Sequence, residues 1–104
     1  MMLAELKSLL DSVGYPVTYS HFRDAQTPPY ITYLVAYSSN FIADDKVIQK
    51  IDNIQIELYT TKKDLISESK LEKVLSDNEI PWDSTETFIE SEQLFQKIYE
   101  VRLI

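Results

Sequence analysis

The sequence has 104 residues, the length of one domain, and 44% of them are hydrophobic, which is enough for one modest core and argues against disorder. Its 17 acidic and 10 basic residues give a net charge of -7, which argues against a surface that grips phosphates and fits a soluble chain or one with basic protein partners. The absence of cysteine excludes disulfides, thiolate zinc sites and cysteine nucleophiles, and no segment has the pattern of a membrane span or a signal peptide.

The chain opens with a predicted helix over Met1 to Val13. Its leucines recur at steps of three and four, so they share one face, while charged and serine residues occupy the other. Gly14, the only glycine, lies where a helix end favours a left-handed residue, and Pro16 prevents continuation. The spacing therefore predicts that this helix stops at Val13.

The next segments predict two strands and their connections. Val17 to Phe22 is a short possible strand, and Asp24 to Pro29 is a loop. Tyr30 to Tyr37 is β-branched and aromatic throughout and apolar on both faces, which predicts a central strand covered on both sides. Ser38 to Asp45 is mostly polar and is interpreted as a connection whose apolar residues, Phe41 and Ile42, are expected at the surface.

A long strand is predicted over Lys46 to Tyr59. Polar and apolar residues alternate in its second half, and the imperfect alternation before it predicts a bulge near Lys50 to Asp52. A helix over Lys63 to Asn78 follows, and Asp64 lies three residues after Thr61, which is the spacing of a capping box.

The inner face of this second helix is predicted to consist of Leu71, Val74 and Leu75 with help from Ile66. Its charged residues are expected to face water, and these are Lys63, Glu68, Lys70, Glu72 and Lys73.

The end of the chain predicts a β-hairpin with strands over Trp82 to Ile89 and Leu94 to Ile104. The whole order is α-β-β-β-α-β-β, which predicts one α+β domain over residues 1–104, with a mostly antiparallel sheet of four to five strands packed by two helices. Two helices are too few to cover both faces of a sheet. We therefore expect the second face to meet another copy of the chain or a partner.

Few residues offer catalytic or metal-binding chemistry. His21 has neither a cysteine nor a second histidine to join it, so an ordinary hydrogen-bonded histidine is a better interpretation than a base or a ligand. Asp44 and Asp45 are adjacent and have no glycine-containing calcium loop around them, which favours a solvated turn. We predict that the chain is not an enzyme and has no cofactor or metal site.

The basic pair Lys62 and Lys63 lies at the start of the second predicted helix, where it slightly opposes the helix dipole. It has two interpretations, a contact to an anion or a partner and, more commonly, a solvated pair. The seven tyrosines suit core and interface positions better than base stacking, since the sequence has no basic groove.

Several short segments follow one another along the chain in a recognisable order: Leu3 to Lys7, Gly14 to Tyr19 with Phe22, Pro28 to Tyr33, Ser39 to Asp44, Ile56 to Asp64 with Glu68 and Leu71-Glu72, Glu90 to Glu92, and Tyr99 to Val101. Together they resemble a family of short proteins encoded in the tail-and-neck gene blocks of long-tailed phages and prophages of Gram-positive bacteria. The resemblance covers essentially the whole chain, and none of the segments is catalytic.

The resemblance implies a tail-completion, or tail-terminator, protein. Such proteins have an α+β fold and assemble as a ring, typically a hexamer, which caps the tail tube, stops its polymerisation and joins the tail to the head connector. It implies a virion protein of the tail or neck, assembled in the host bacterial cytoplasm. Its partners would be the major tail tube protein and head-tail connector proteins, with no membrane and no sequence-specific nucleic acid.

Three hypotheses remain open at this point. The first is the structural ring, with a homo-oligomeric contact through Phe41, Ile42, Ala43, Lys62 and Lys63. The alternative is a small phage-encoded module that binds a host protein through its acidic surface without forming a ring. The third, which is the least favoured, is a hydrolase that uses the carboxylates of the last hairpin, Glu86, Glu90 and Glu92.

Overall fold

The computed structural model describes residues 1–104 and contains two helices and seven strands. In chain order these are α1 (Leu3–Asp11), β1 (Val17–Tyr19), β2 (Tyr30–Ser38), β3 (Phe41–Ala43), β4 (Lys46–Gln49), β5 (Asp52–Thr60), α2 (Leu65–Asp77), β6 (Asp83–Ile89) and β7 (Leu94–Leu103). One sheet has five strands in the order β1-β2-β5-β7-β6, and its pairings are antiparallel except that between β1 and β2. The predicted α+β fold with a mostly antiparallel sheet and two helices is confirmed.

Both helices pack on the same face of this sheet. The strand register places Ile31 opposite Leu58 and Ile56 opposite Tyr99, so these four side chains point to one side. They form a single buried cluster with leucines of both helices, Leu6, Leu10, Leu71 and Leu75. Each fully buried side chain of this kind contributes about 1.5–3 kcal/mol relative to an exposed one. The hydrophobic core therefore lies between the helices and the centre of the sheet.

The first helix and the last hairpin agree with the sequence expectation, apart from one or two residues at their ends. Gly14 has a φ of 102°, which is the left-handed conformation predicted for it after α1. Strands β6 and β7 pair antiparallel, with Phe88 opposite Phe95. The short strand predicted from Val17 is shorter than expected and is the one that pairs parallel.

The single long strand predicted over Lys46 to Tyr59 is wrong. The chain forms β4 and then β5, and β4 pairs with β3 in a separate two-stranded hairpin instead of joining the main sheet. The turn of this hairpin is made by Asp44 and Asp45, whose φ angles of 51° and 61° suit a tight turn between antiparallel strands. At its base the Ile51 amide donates to Asn40 Oδ1 at 2.9 Å, where a bulge had been expected. The irregularity in the pattern therefore marks a change of sheet.

The start of α2 also differs from the expectation. Asp64 is itself the N-cap, because its carboxylate accepts hydrogen bonds from the Ser67 amide at 3.0 Å and the Ser67 hydroxyl at 2.8 Å. The capping box that begins at Thr61 is therefore not formed.

The inner face of α2 is displaced as well. Ile66, expected to help the inner face, is 71% exposed, whereas Glu68, expected in water, is only 6% exposed. Glu68 lies three residues before Leu71 and seven before Leu75, so it shares their face, while Ile66 does not.

Candidate interaction surfaces

The hairpin formed by β3 and β4 carries the largest group of exposed apolar side chains in the chain. We call it the hairpin patch, defined by four residues that are between 56% and 64% exposed: Phe41, Ile42, Val47 and Ile48. Ile42 lies opposite Val47 across the two strands. An isolated two-stranded hairpin is at best marginally stable in water, and exposed apolar groups of this size mark contact sites. The hairpin therefore offers an exposed apolar surface that another molecule could cover.

The hairpin also carries unpaired charge at its turn. Asp44 and Asp45 are both exposed, and neither forms an ion pair with a side chain of this chain. Ala43, the third predicted contact residue of this segment, is half-buried beside them. The hairpin thus ends in two carboxylates, with Ala43 before them and the exposed Lys46 after them.

A second exposed apolar group lies at the start of α2. We call it the α2 patch, defined by Lys62, Leu65 and Ile66. Leu65 is 67% exposed and Ile66 is 71% exposed. Lys62 is exposed and forms no ion pair. The apolar part of this patch was missed by the sequence analysis, because Ile66 was assigned to the helix interior.

Lys63, the other predicted contact lysine, lies in a different environment. Its Nζ is 2.8 Å from a carboxylate oxygen of Glu68 and 2.8 Å from Glu86 Oε1. These hydrogen bonds raise the pKa of Lys63 above its ordinary value. The charge of Lys63 is thus neutralised by carboxylates of the same chain. Lys62 and Lys63 therefore do not form one exposed basic pair.

The same carboxylate of Glu68 joins α2 to the last hairpin. Lys97 Nζ lies 2.8 Å from Glu68 Oε1 and 3.7 Å from Glu72 Oε2, and the Tyr99 hydroxyl donates to Glu72 at 2.7 Å. Burial acts to raise the pKa of Glu68, but its hydrogen bonds to Lys63 and Lys97 together outweigh burial and hold the pKa below its usual value. This charge network links α2 to β6 and β7.

The face of the sheet without helices contains a polar network of its own. Glu57, which is only 8% exposed, accepts hydrogen bonds at Oε2 from Gln96 Nε2 at 3.0 Å, from Thr32 Oγ1 at 3.4 Å and from the Tyr59 hydroxyl. Burial first, and then the hydrogen bond to Glu57, raise the pKa of Tyr59 to about 12. Tyr30 stacks on the Tyr59 ring with centroids 4.9 Å apart. Part of the second face is therefore closed by the chain's own side chains.

The residues considered for catalysis are dispersed. His21 is exposed, and its Nδ1 lies 3.1 Å from the Ser20 hydroxyl oxygen. Glu86 is paired with Lys63, while Glu90 and Glu92 are exposed in the turn between β6 and β7. No group of three or more histidine, aspartate or glutamate side chains is arranged to hold a metal ion. Neither helix is long and apolar enough to cross a membrane.

No model of a known protein family matches the chain, and no curated protein matches it.

Proposed function

We propose that the chain is a structural virion protein that assembles as a ring on the end of a phage tail tube and joins the tail to the head connector. The observation that carries the proposal is the presence of two separate exposed apolar patches on a domain whose core is already complete without them. The sequence resemblance to tail-completion proteins suggests the kind of assembly, a ring on the tail tube, in which these patches would be contacts.

The positions of the patches support an assembly in which each copy uses two different contacts. The hairpin patch precedes the first residue of β5, and the α2 patch follows its last residue. Strand β5 has nine residues, so at about 3.3 Å per residue its ends are roughly 26 Å apart. Contacts between different patches on successive copies generate rings when the rotation closes. Two distant patches are what such an assembly needs.

The charge of the chain is compatible with a tail channel. A protein with a net charge of -7 would repel the phosphates of DNA that passes through a ring. Tight binding of DNA in the channel would obstruct its passage. The net charge is therefore consistent with the proposed ring, while the two exposed patches remain its main support.

The proposal is tested with a tail tube protein that polymerises in vitro. The purified chain is added during polymerisation, and tube length and tube ends are measured by electron microscopy. We expect shorter tubes and a ring of added density at one end, because a cap stops further addition of subunits. Tubes of unchanged length, with the chain left in the supernatant after sedimentation, would contradict the proposal.

The alternative is a phage-encoded module that uses the same exposed groups to bind one host protein without forming a ring. Parallel capture from host lysate and from a mixture of virion proteins separates the two functions. Retention of a host protein together with no binding to tail tube or connector proteins would favour the alternative.

A further inference from the structure

We propose that the hairpin patch of one copy docks on the α2 patch of the next copy, and that this head-to-tail contact is the interface of the assembly. The inference rests on the proposed ring function and names the surfaces that build it. The occupant of the hairpin patch is thus a second copy of this chain.

The two patches have opposite charge. The hairpin turn carries Asp44 and Asp45 beside a single exposed lysine, Lys46, so it is net negative, and none of the three forms an ion pair. The α2 patch includes Lys62, which also forms no ion pair. Each patch also presents exposed apolar side chains beside its charge. Apolar burial gives such a contact its affinity, and the opposite charges select the partner and the orientation.

Contacts between two identical patches are disfavoured by the same charges. Two hairpin patches in contact would bring together two turns that each carry two carboxylates and only one lysine, and two α2 patches would bring two copies of Lys62 together. Like charges in contact across an interface oppose association. Contact between unlike patches avoids this repulsion.

Contact between the two patches within one chain is prevented by distance. They lie beyond opposite ends of β5, roughly 26 Å apart, on a molecule whose longest dimension is 49 Å. Any contact between the two patches is therefore a contact between different copies.

The absence of cysteine makes cross-linking a clean test. A Lys46→Cys variant labels the hairpin next to its turn, at an exposed strand position. A Thr61→Cys variant labels the α2 patch next to Lys62 and leaves that lysine in place, and Lys73→Cys is the control, since Lys73 is exposed on α2 outside the patch. Single-cysteine variants are mixed in pairs with a short bismaleimide, and the products are resolved by denaturing gel.

We expect the mixture of the Lys46→Cys and Thr61→Cys variants to give severalfold more cross-linked dimer than the mixture of Lys46→Cys with Lys73→Cys. Introducing Ile66→Asp into the Thr61→Cys variant should remove this excess, because a carboxylate then replaces an apolar contact. Equal yields in the two mixtures, or an excess that survives Ile66→Asp, would overturn the inference.

A mixing experiment tests the direction of the contact. Ile42→Asp removes the hairpin contact and leaves the α2 patch intact, while Ile66→Asp does the reverse, and both residues are exposed enough for the fold to tolerate the change. Each variant alone should be monomeric by sedimentation velocity, and an equimolar mixture should form one dimer and nothing larger. A mixture that remains monomeric at concentrations where the unmodified chain associates would overturn the inference.

These outcomes are distinguishable from failure of the ring function. If the Ile42→Asp and Ile66→Asp variants still cap tail tubes, the assembly uses other surfaces, and the inference fails while the ring function stands. If the patches cross-link as expected but the chain leaves tube length unchanged, the contact stands and the tail function fails.

Discussion

Glu68 is the residue around which the charged side chains of α2 and β7 are arranged. Its carboxylate is almost fully buried and has two lysine partners, of which Lys97 is itself mostly buried and Lys63 is about half exposed. An exposed ion pair contributes little to stability, whereas a buried charge that loses its partner is costly. The contribution of this network therefore depends on Glu68 more than on either lysine.

Glu68→Ala should lower the free energy of unfolding by about 2 kcal/mol, because it leaves Lys97 with only the more distant Glu72 as a partner. The matched control is Asp77→Ala on the same helix, since the Lys73–Asp77 pair is exposed on both sides. The control should change the free energy of unfolding by less than about 0.5 kcal/mol. Urea denaturation of the two variants measures both values, and equal losses would contradict the prediction.

The lowered pKa of Glu68 predicts that the stability of the fold depends on pH. The native pKa of Glu68 lies below its ordinary value of 4.5, so its ionised form stabilises the fold above that value. This stability is lost as the pH falls through the native pKa. Glu68→Gln should therefore flatten the loss of stability that the unmodified chain shows as the pH falls below 4.5. Asp64, whose pKa is also lowered by its hydrogen bonds to Ser67, retains its own acid dependence in this variant.

The N-cap of α2 gives a second prediction for single residues. Asp64→Ala should destabilise the fold by about 1 kcal/mol, because it removes the acceptor for the Ser67 amide. Thr61→Ala is the control, since Thr61 is exposed and does not cap the helix. Thermal or urea unfolding distinguishes the two. If the Thr61 variant were the more destabilised one, the cap would have been assigned to the wrong residue.

At the scale of elements, sequence patterns predict those segments whose local signals agree with their burial. Helix α1 has leucines at helical spacing and a glycine after its end, so both its face and its terminus can be predicted. The β6–β7 hairpin is likewise recognisable, because two alternating strands flank a polar turn. In these elements no distant contact competes with the local pattern.

The β3–β4 hairpin could not be predicted in the same way. Lys46 to Gln49 favours a strand, but propensity does not specify which strand it pairs with, and continuity with β5 suggested one long strand. The usable signal was the Asp44-Asp45 pair, since aspartate tolerates the left-handed conformation of a tight turn. Val47 and Ile48 were therefore missed as surface residues, although Phe41 and Ile42 were correctly expected to be exposed.

The hairpin should be separable from the folded domain. Replacing Phe41 to Gln49 with a short Asn-Gly turn should change the free energy of unfolding by less than about 1 kcal/mol, because neither strand pairs with the five-stranded sheet. Self-association should be lost in the same variant. Ile54→Ala is the control for the sensitivity of the measurement. Because Ile54 is fully buried, its truncation should lower the free energy of unfolding by about 2–5 kcal/mol. Unfolding of the shortened chain at neutral pH would show that the hairpin supports the core.

At the scale of the whole molecule, the contact surfaces were only partly predictable. Exposure of a short apolar run within a polar connection is a local property, which is why Phe41 and Ile42 could be recognised. The division of Lys62 from Lys63 depends on Glu86, which lies 23 residues after Lys63 and is brought to it only by the fold. The same holds for the distance between the two patches, which follows from their positions at opposite ends of β5.

The net charge of the molecule predicts how assembly responds to salt. Every copy carries a net charge of -7, so neighbouring copies repel one another. The only electrostatic attraction that the proposed interface sets against this repulsion is that between Lys62 and the hairpin turn. Because screening lengths fall from about 10 Å at 0.1 M to about 3 Å at 1 M salt, the long-range repulsion is removed while apolar contacts persist. Association measured by sedimentation equilibrium should therefore strengthen severalfold over this range.

The control for this prediction is a Glu90→Gln, Glu92→Gln double variant, which reduces the magnitude of the net charge by two at exposed positions outside both patches. It should associate more strongly than the unmodified chain at low salt and respond less to added salt, because less repulsion remains to be screened. Association that weakens with salt in both proteins would instead mean that ion pairs across the interface contribute more than the apolar side chains of the hairpin.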